Sequence, residues 1–135
     1  VRQAPPGAIR LHGWITRAEL EPLLARSHVL LLPTSSEGFP KAVAEAMNFG
    51  CVPVTSGISS MGQTLGEAGG AVVMGDGGSW VDAVADLLSG GRFDELSLEA
   101  SLAVDRFSYR TYLDRVGALA REAWGRELRP PRAPL

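Results

Sequence analysis

Two acidic residues, Glu37 and Glu45, lie eight positions apart in the most chemically distinctive part of the chain, residues 32–50. Pro40 suits the first position of a helix, where its missing N–H needs no partner. Gly50 suits the end of that helix, where a positive φ is favoured. The pattern predicts a strand, a loop carrying Glu37 and a helix carrying Glu45. The N–H groups at the helix start, beyond the carboxyl end of the strand, suit an anionic ligand.

Ionised carboxylates accept several hydrogen bonds, so Glu37 and Glu45 suit the hydroxyl groups of a sugar or a ribose. Each residue also has an ordinary interpretation. Glu37 fits an exposed loop acid or a cap on the following helix. Glu45 follows Lys41 at i,i+4 spacing, and such an ion pair on a helix contributes about 0.2–0.5 kcal/mol. Lys41, Glu45 and Asn48 form a polar stripe on the predicted helix.

The rest of the chain alternates predicted strands and helices. Strands are predicted over residues 9–14, 28–33, 51–55 and 70–74, and helices over residues 16–26, 40–50, 61–66, 79–88, 93–104 and 108–127. Thr16 and Glu19 form a capping box, and Ser79 and Ser108 stand where helix N-caps are expected. Because strands alternate with helices, the sequence predicts an α/β fold with a parallel sheet and helices on both faces.

Composition sets bounds on the function. The chain has 135 residues, 45% hydrophobic and 21% charged, which predicts one globular domain. Its net charge of −2 gives no electrostatic reason to expect nucleic acid as a partner. The single cysteine, Cys51, allows no internal disulfide and fits a reducing compartment. No apolar run approaches the roughly 20 residues of a membrane span, and no metal-ligand motif is visible, so neither a span nor a metal site is expected.

The segment from Glu37 to Met47, followed by Gly50, resembles the paired-glutamate motif of retaining GT-B glycosyltransferases, the family that includes glycogen synthases, sucrose synthases and bacterial mannosyl- and glucosyltransferases. The resemblance extends over residues 9–112. It implies a three-layer Rossmann-like parallel sheet, the truncated C-terminal half of a GT-B fold. Residues 1–127 would form the nucleotide-sugar-binding domain and residues 128–135 a disordered proline-rich tail. The acceptor-side domain is absent from the chain, so the fragment alone is expected to be inactive.

The function implied by this resemblance is the transfer of a hexose with retention of configuration. The intact enzyme would move the sugar from a nucleotide-sugar, such as a UDP- or GDP-hexose, to a glycan, lipid or small-molecule acceptor. Polysaccharide biosynthesis and a cytoplasmic location follow as expectations. The nucleotide-sugar is a substrate, and no separate cofactor is expected. The resemblance is compatible with peripheral membrane association of the full protein.

The family assigns a role to each matching position. Glu37 would be the catalytic-site carboxylate that orients the donor sugar without acting as a nucleophile, and Glu45 would bind the ribose hydroxyls. The remaining donor-binding positions would act through backbone amides or hydroxyls, and they are Gly38, Phe39, Lys41, Ala42, Ser59 and Ser60. Pro40 departs from the family's usual glycine and cannot donate a hydrogen bond. No arginine or lysine in the sequence can be assigned to the diphosphate.

Two other functions remain open. A non-catalytic Rossmann-like binding or interaction domain would share the predicted architecture. A glycoside hydrolase would use Glu37 and Glu45 as a facing pair of carboxyls roughly 5–9.5 Å apart. Dinucleotide binding is disfavoured because no Gly-X-Gly-X-X-Gly follows a first strand. Binding of UDP- or GDP-sugars, tested against NAD and against glycan hydrolysis without nucleotide, separates these functions.

Overall fold

A computed structural model of the chain describes residues 4–38, 41–58, 62, 65, 70–75 and 78–125. The elements in chain order are α1 (Arg17–Leu24), β1 (Val29–Leu32), α2 (Lys41–Met47), β2 (Val52–Ser56), β3 (Val72–Met74), α3 (Trp80–Ser89), α4 (Phe93–Ala103), a 3₁₀ turn (Val104–Phe107) and α5 (Tyr109–Trp124). The three strands form one sheet in the order β1-β2-β3, and both pairings are parallel. The predicted mixed α/β fold with a parallel sheet is confirmed for this part of the chain.

Helices cover both faces of the sheet. On one face, Val43 and Met47 of α2 are fully buried and pack in one cluster with Ala100 of α4. On the other face, Val52 and Val54 of β2 pack with the apolar side of α3. β2 is buried along almost its whole length, as its unbroken apolar sequence predicts for a strand covered on both faces. The described residues therefore form three layers, helix, sheet and helix.

The predicted helix starts are confirmed by their hydrogen bonds. The Glu19 carboxylate accepts from the Thr16 N–H at 2.8 Å, as in the capping box recorded at the start of α1, and also accepts from the Thr16 hydroxyl at 2.7 Å. These two hydrogen bonds lower the pKa of Glu19 from its usual value. The hydroxyls of Ser79 and Ser108 accept backbone N–H groups in the first turns of α3 and α5.

The turn from α2 into β2 also follows the prediction. Gly50 has φ of 75° and donates its N–H to the Met47 carbonyl at 2.9 Å. The next residue, Cys51, is fully buried. Its thiol lies 3.2 Å from the Leu24 carbonyl oxygen and 3.1 Å from the Ser27 carbonyl oxygen, so it contacts the end of α1 and the turn after it. Burial raises the pKa of the Cys51 thiol.

The prediction of a strand over residues 9–14 is wrong. This segment is irregular, and the side chains of Ile9, Leu11 and Trp14 are 69%, 93% and 103% exposed. The sequence alternates apolar and polar residues, but a strand needs a neighbour to pair its N–H and C=O groups. In the described part of the chain β1 pairs only with β2, so nothing beside residues 9–14 supplies that pairing.

Other predictions differ in detail or cannot be compared. No residue of α1 is fully buried, and its apolar residues Leu20, Leu23 and Leu24 are half-buried. The Trp124 side chain at the end of α5 is 73% exposed. Of the helix predicted over residues 61–66, only residues 62 and 65 are described, and the proline-rich tail lies outside the described residues.

Among the glycines that the structure describes, Gly70 should be the least tolerant of substitution. It has φ of +66°, and an added Cβ would overlap the backbone N and Cα of Ala100 in α4. We expect Gly70→Ala to lower the free energy of unfolding by about 3 kcal/mol, combining the left-handed backbone with the overlap. Gly91 is a matched control because it has a similar φ of +73°, but a Cβ added there would meet no atom of a described residue within 4 Å. Gly91→Ala should therefore lower the free energy of unfolding by only about 1 kcal/mol. Urea unfolding followed by circular dichroism measures both; equal losses would contradict the packing argument.

Candidate functional site

The loop between β1 and α2 carries Glu37 beyond the carboxyl end of β1. Thr34 organises this loop, since its N–H donates to the Leu32 carbonyl at 3.0 Å and its hydroxyl lies 3.2 Å from the Ser36 carbonyl oxygen. Glu37 is half-buried and Gly38 is exposed. The φ of Gly38 lies outside the left-handed range that favours glycine, and an added Cβ would meet no atom of a described residue within 4 Å. Packing against the described residues therefore does not require a glycine at position 38.

The polar stripe predicted on α2 is confirmed. Val43, Ala46 and Met47 face the core and are fully buried, while Lys41 is exposed and Glu45 is half-buried on the opposite side. Two residues at i,i+4 spacing share a helix face because the helix turns every 3.6 residues. The burial of one face against the sheet thus fixes the direction in which Glu45 leaves the helix.

The ion pair that the i,i+4 spacing of Lys41 and Glu45 allows, the ordinary interpretation of Glu45, is not formed. The ion pairs between described residues are Arg17–Glu21 at 2.7 Å and Arg92–Glu95 at 3.0 Å. Glu45 is therefore held by no cation within ion-pair distance in the described structure. Its carboxylate keeps its acceptor capacity for another partner.

A cavity of about 490 Å³ opens between α1, α2 and the turn that leads into α5. Its volume falls within the roughly 300–1,000 Å³ of small-molecule sites. The polar residues that line it are Arg17, Glu21, Lys41, Glu45, Asn48, Asp105, Ser108 and Tyr109. The apolar residues that line it are Leu20, Leu24, Ala44, Phe49, Val104 and Phe107. An apolar wall with a few polar side chains is the usual composition of such sites.

Each of the two helices presents one face to this cavity. α2 contributes Lys41, Ala44 and Glu45, followed by Asn48 in the turn after it, and α1 contributes Arg17, Leu20, Glu21 and Leu24. Both sets follow the i, i+3, i+4, i+7 spacing of a single helix face. The cavity lining includes three carboxylates, Glu21, Glu45 and Asp105, and two cations, Arg17 and Lys41. One of those cations, Arg17, is already paired with Glu21.

The donor-binding residues predicted from the sequence are only partly brought together here. Lys41 and Glu45 line the cavity, whereas Glu37, Gly38 and Ala42 are described but are not among its lining residues. The three other predicted positions, Phe39, Ser59 and Ser60, lie outside the described residues. The roles assigned to all eight positions remain predictions.

Several other residues that line the cavity carry no signal in the sequence that would predict their position there. Arg17 and Glu21 are spaced as an i,i+4 pair on a predicted helix, which signals a shared helix face but not what that face meets. Asp105, Ser108 and Tyr109 are about 60 residues from Glu45 in the chain. Only the packing of the 3₁₀ turn against α2 brings them to the same cavity.

Thr55 stands out at the carboxyl end of β2. Its side chain is fully buried, and its hydroxyl has no hydrogen-bond partner among the described residues. Burying a hydroxyl without a partner costs roughly 1–3 kcal/mol. Thr55 therefore lowers the free energy of unfolding of the chain. It lies at the edge of the sheet where ligands bind in parallel α/β folds.

The described residues contain neither a cluster of metal ligands nor a membrane-spanning helix. No group of three or more His, Cys, Asp or Glu side chains could hold a metal ion. No helix in this part of the chain is long and apolar enough to cross a membrane.

Comparison with known proteins decides the family. The family model described as "Glycosyl transferases group 1" matches residues 2–90, about two thirds of the chain. The chain belongs to this glycosyltransferase family. The match includes β1, the Glu37 loop, α2 and β2, and it implies a nucleotide-sugar and an acceptor as substrates. The α/β structure is consistent with part of a glycosyltransferase domain. No curated protein and no solved structure gives a significant match.

Replacing Thr55 should stabilise this glycosyltransferase domain. Thr55→Val keeps the side-chain shape and removes the unpaired hydroxyl, so we expect the free energy of unfolding to rise by about 1 kcal/mol. Thr111 is the matched control because its hydroxyl donates to the Asp105 carbonyl at 2.7 Å. Thr111→Val should lower the free energy of unfolding by about 1 kcal/mol. Chemical denaturation measures both variants, and a loss of stability in Thr55→Val would show that its hydroxyl has a partner.

Proposed function

We propose that this domain is the donor-binding, Rossmann-like half of a retaining GT-B hexosyltransferase. The observation that carries the proposal is the position of Glu45 in the wall of the cavity, in a chain that belongs to the glycosyltransferase group 1 family. The donor would be a nucleotide-activated hexose, such as a UDP- or GDP-sugar. The acceptor would be a glycan, a lipid or a small molecule, bound with the help of a partner domain.

Glu45 is suited to the ribose of the donor. Its carboxylate is half-buried on the cavity wall and has no ion-pair partner among the described residues. A vicinal diol offers two hydroxyl donors, and an ionised carboxylate offers matching acceptors. Hydrogen bonds to a charged group are stronger than neutral ones. The apolar part of the cavity supplies contact area for the nucleoside.

Glu37 and the loop around it would bind the sugar and the distal phosphate. Glu37 would orient the hexose through its hydroxyls and would not form a covalent intermediate. The backbone amides of Gly38, Phe39, Lys41 and Ala42 would hold the sugar and phosphate oxygens. Such fixed donors stabilise the charge that develops on the leaving diphosphate without reorganising during the reaction. Ser59 and Ser60 would complete the site from the loop after β2.

Two alternatives are separated by simple binding and activity measurements. A non-catalytic α/β interaction domain would bind no nucleotide-sugar. A glycoside hydrolase using Glu37 and Glu45 would cleave glycans without a nucleotide. A role in polysaccharide biosynthesis and a cytoplasmic location are further predictions. They would be tested by finding where the intact protein resides and which glycan it extends.

Removing the Glu45 carboxylate should weaken donor binding. We expect Glu45→Ala to raise the dissociation constant for the preferred UDP- or GDP-hexose about tenfold or more, since charge-assisted hydrogen bonds contribute roughly 1.5–3 kcal/mol. Calorimetry on the chain with both classes of donor makes the measurement. Asp114→Ala is the control, because Asp114 is exposed on α5 and is not among the cavity-lining residues. Unchanged donor affinity in Glu45→Ala would reject the proposed role of this residue.

Gly38 provides a second test that separates function from folding. Gly38→Ala should leave the free energy of unfolding within about 0.5 kcal/mol of the wild-type value, because the added methyl group has no atom of a described residue within 4 Å. Donor affinity should still fall about tenfold if the sugar or phosphate approaches this backbone closely. Thermal unfolding and calorimetry on the same variant give the two values. Equal donor affinity in the two proteins would exclude close approach at Gly38.

A further inference from the structure

Arg17 lies at the cavity with its guanidinium oriented by a neighbour. Its Nε donates to a Glu21 carboxylate oxygen at 2.7 Å, one turn further along α1. Guanidinium is planar and has five N–H donors in a fixed arrangement. When Nε is held, the direction of the terminal nitrogens is restricted. Among the described residues, these terminal nitrogens have no other hydrogen-bond partner.

Arg17 and Glu45 lie on the same cavity but do not form an ion pair. Both residues line it, and their charged atoms are more than 4.0 Å apart. They are nevertheless close enough to interact. The Glu21 hydrogen bond and charge raise the pKa of Arg17, and the charge of Glu45 adds a smaller contribution in the same direction. Arg17 thus contributes N–H donors to the cavity lining, and Glu45 contributes carboxylate acceptors.

A ligand that fits this space needs an acceptor group at one end and hydroxyl donors at the other. A nucleoside 5′-phosphate has both, since its phosphate oxygens are acceptors and its ribose diol is a donor pair. Guanidinium matches phosphate because two N–H groups can bind two oxygens at once. The Arg17 side chain is 81% exposed, which places it at the mouth of the cavity, where a hydrated phosphate loses little solvation.

We propose that Arg17 binds a phosphate of the nucleotide donor while Glu45 binds its ribose, and that Glu21 is a positioning residue for Arg17. This inference rests on the proposed donor-binding function and adds a phosphate-binding cation to it. Lys41 also lines the cavity, but its ammonium group is a point charge on a flexible side chain. No carboxylate lies within ion-pair distance of it in the described structure to orient it. Arg17 is therefore the cation that is oriented before the ligand arrives.

The test compares ligands that differ only by the phosphate. Calorimetry on the full chain would measure the affinity of uridine against UMP and of guanosine against GMP. For Arg17→Gln, we expect the affinity for the preferred monophosphate to fall about tenfold, as for a lost charge-assisted contact, and the affinity for its nucleoside to change less than about twofold. Arg92→Gln is the matched control, because Arg92 forms a similar exposed pair with Glu95 and is not among the cavity-lining residues. It should leave all four affinities unchanged.

The role of Glu21 is tested by a double-mutant cycle. Glu21→Ala should weaken binding of the monophosphate about threefold in the wild-type background and have no further effect in the Arg17→Gln background. An equal effect in both backgrounds would show that Glu21 acts independently of Arg17, which contradicts the positioning role.

The remaining outcomes separate this inference from the proposed function. If the wild-type chain binds none of the four ligands and no nucleotide-sugar, the proposed function itself fails. If the wild type binds a monophosphate but Arg17→Gln weakens nucleoside and monophosphate equally, or weakens neither, the phosphate contact is rejected and the donor-binding function stands.

Discussion

The parallel pairing of β2 with a strand on each side is the constraint on which the rest of the structure depends. Parallel neighbours cannot be joined by a tight hairpin, so the chain between β1 and β2 must cross over one face of the sheet. α2 makes that crossover, and its apolar face is buried through Val43 and Met47. Glu45 consequently leaves the helix on the side away from the sheet, toward α1 and the cavity. The position of the carboxylate follows from the burial of its neighbours.

Features that depend on a few adjacent residues could be predicted from the sequence. The continuous apolar runs at β1 and β2 indicate strands, and both strands form. Burial on both faces is found for β2 but not for β1, where Leu31 is 50% exposed. The hydroxyls of Ser79 and Ser108 and the box formed by Thr16 and Glu19 mark helix starts, because the unpaired N–H groups there need nearby acceptors. Gly50 marks the end of α2 because a positive φ is readily adopted by glycine. Each of these signals is local and largely independent of the packing of distant segments.

Features that depend on distant partners could not be predicted in this way. Residues 9–14 have the alternation of a strand, but pairing requires a neighbour that local sequence does not specify. The spacing of Lys41 and Glu45 allows an ion pair, yet the structure leaves it unformed and instead pairs Arg17 with Glu21. The cavity joins two helix faces and the turn before α5, so its composition depends on packing over most of the described chain. The motif indicated Glu45, whereas only the fold indicated Arg17.

The thiol of Cys51 lies where the end of α1 meets the start of β2, so its reactivity can be used to detect opening of the structure there. It is enclosed by the carbonyls of Leu24 and Ser27, and burial raises its pKa, so thiolate is scarce at neutral pH. We therefore expect alkylation of this cysteine to require local opening of the structure around it, including the end of α1 and the turn after it. Since α1 forms one wall of the cavity, the rate of alkylation reports how often that wall opens. A molecule bound across the wall would slow the modification, so one native sulfur atom can serve as a built-in probe of occupancy.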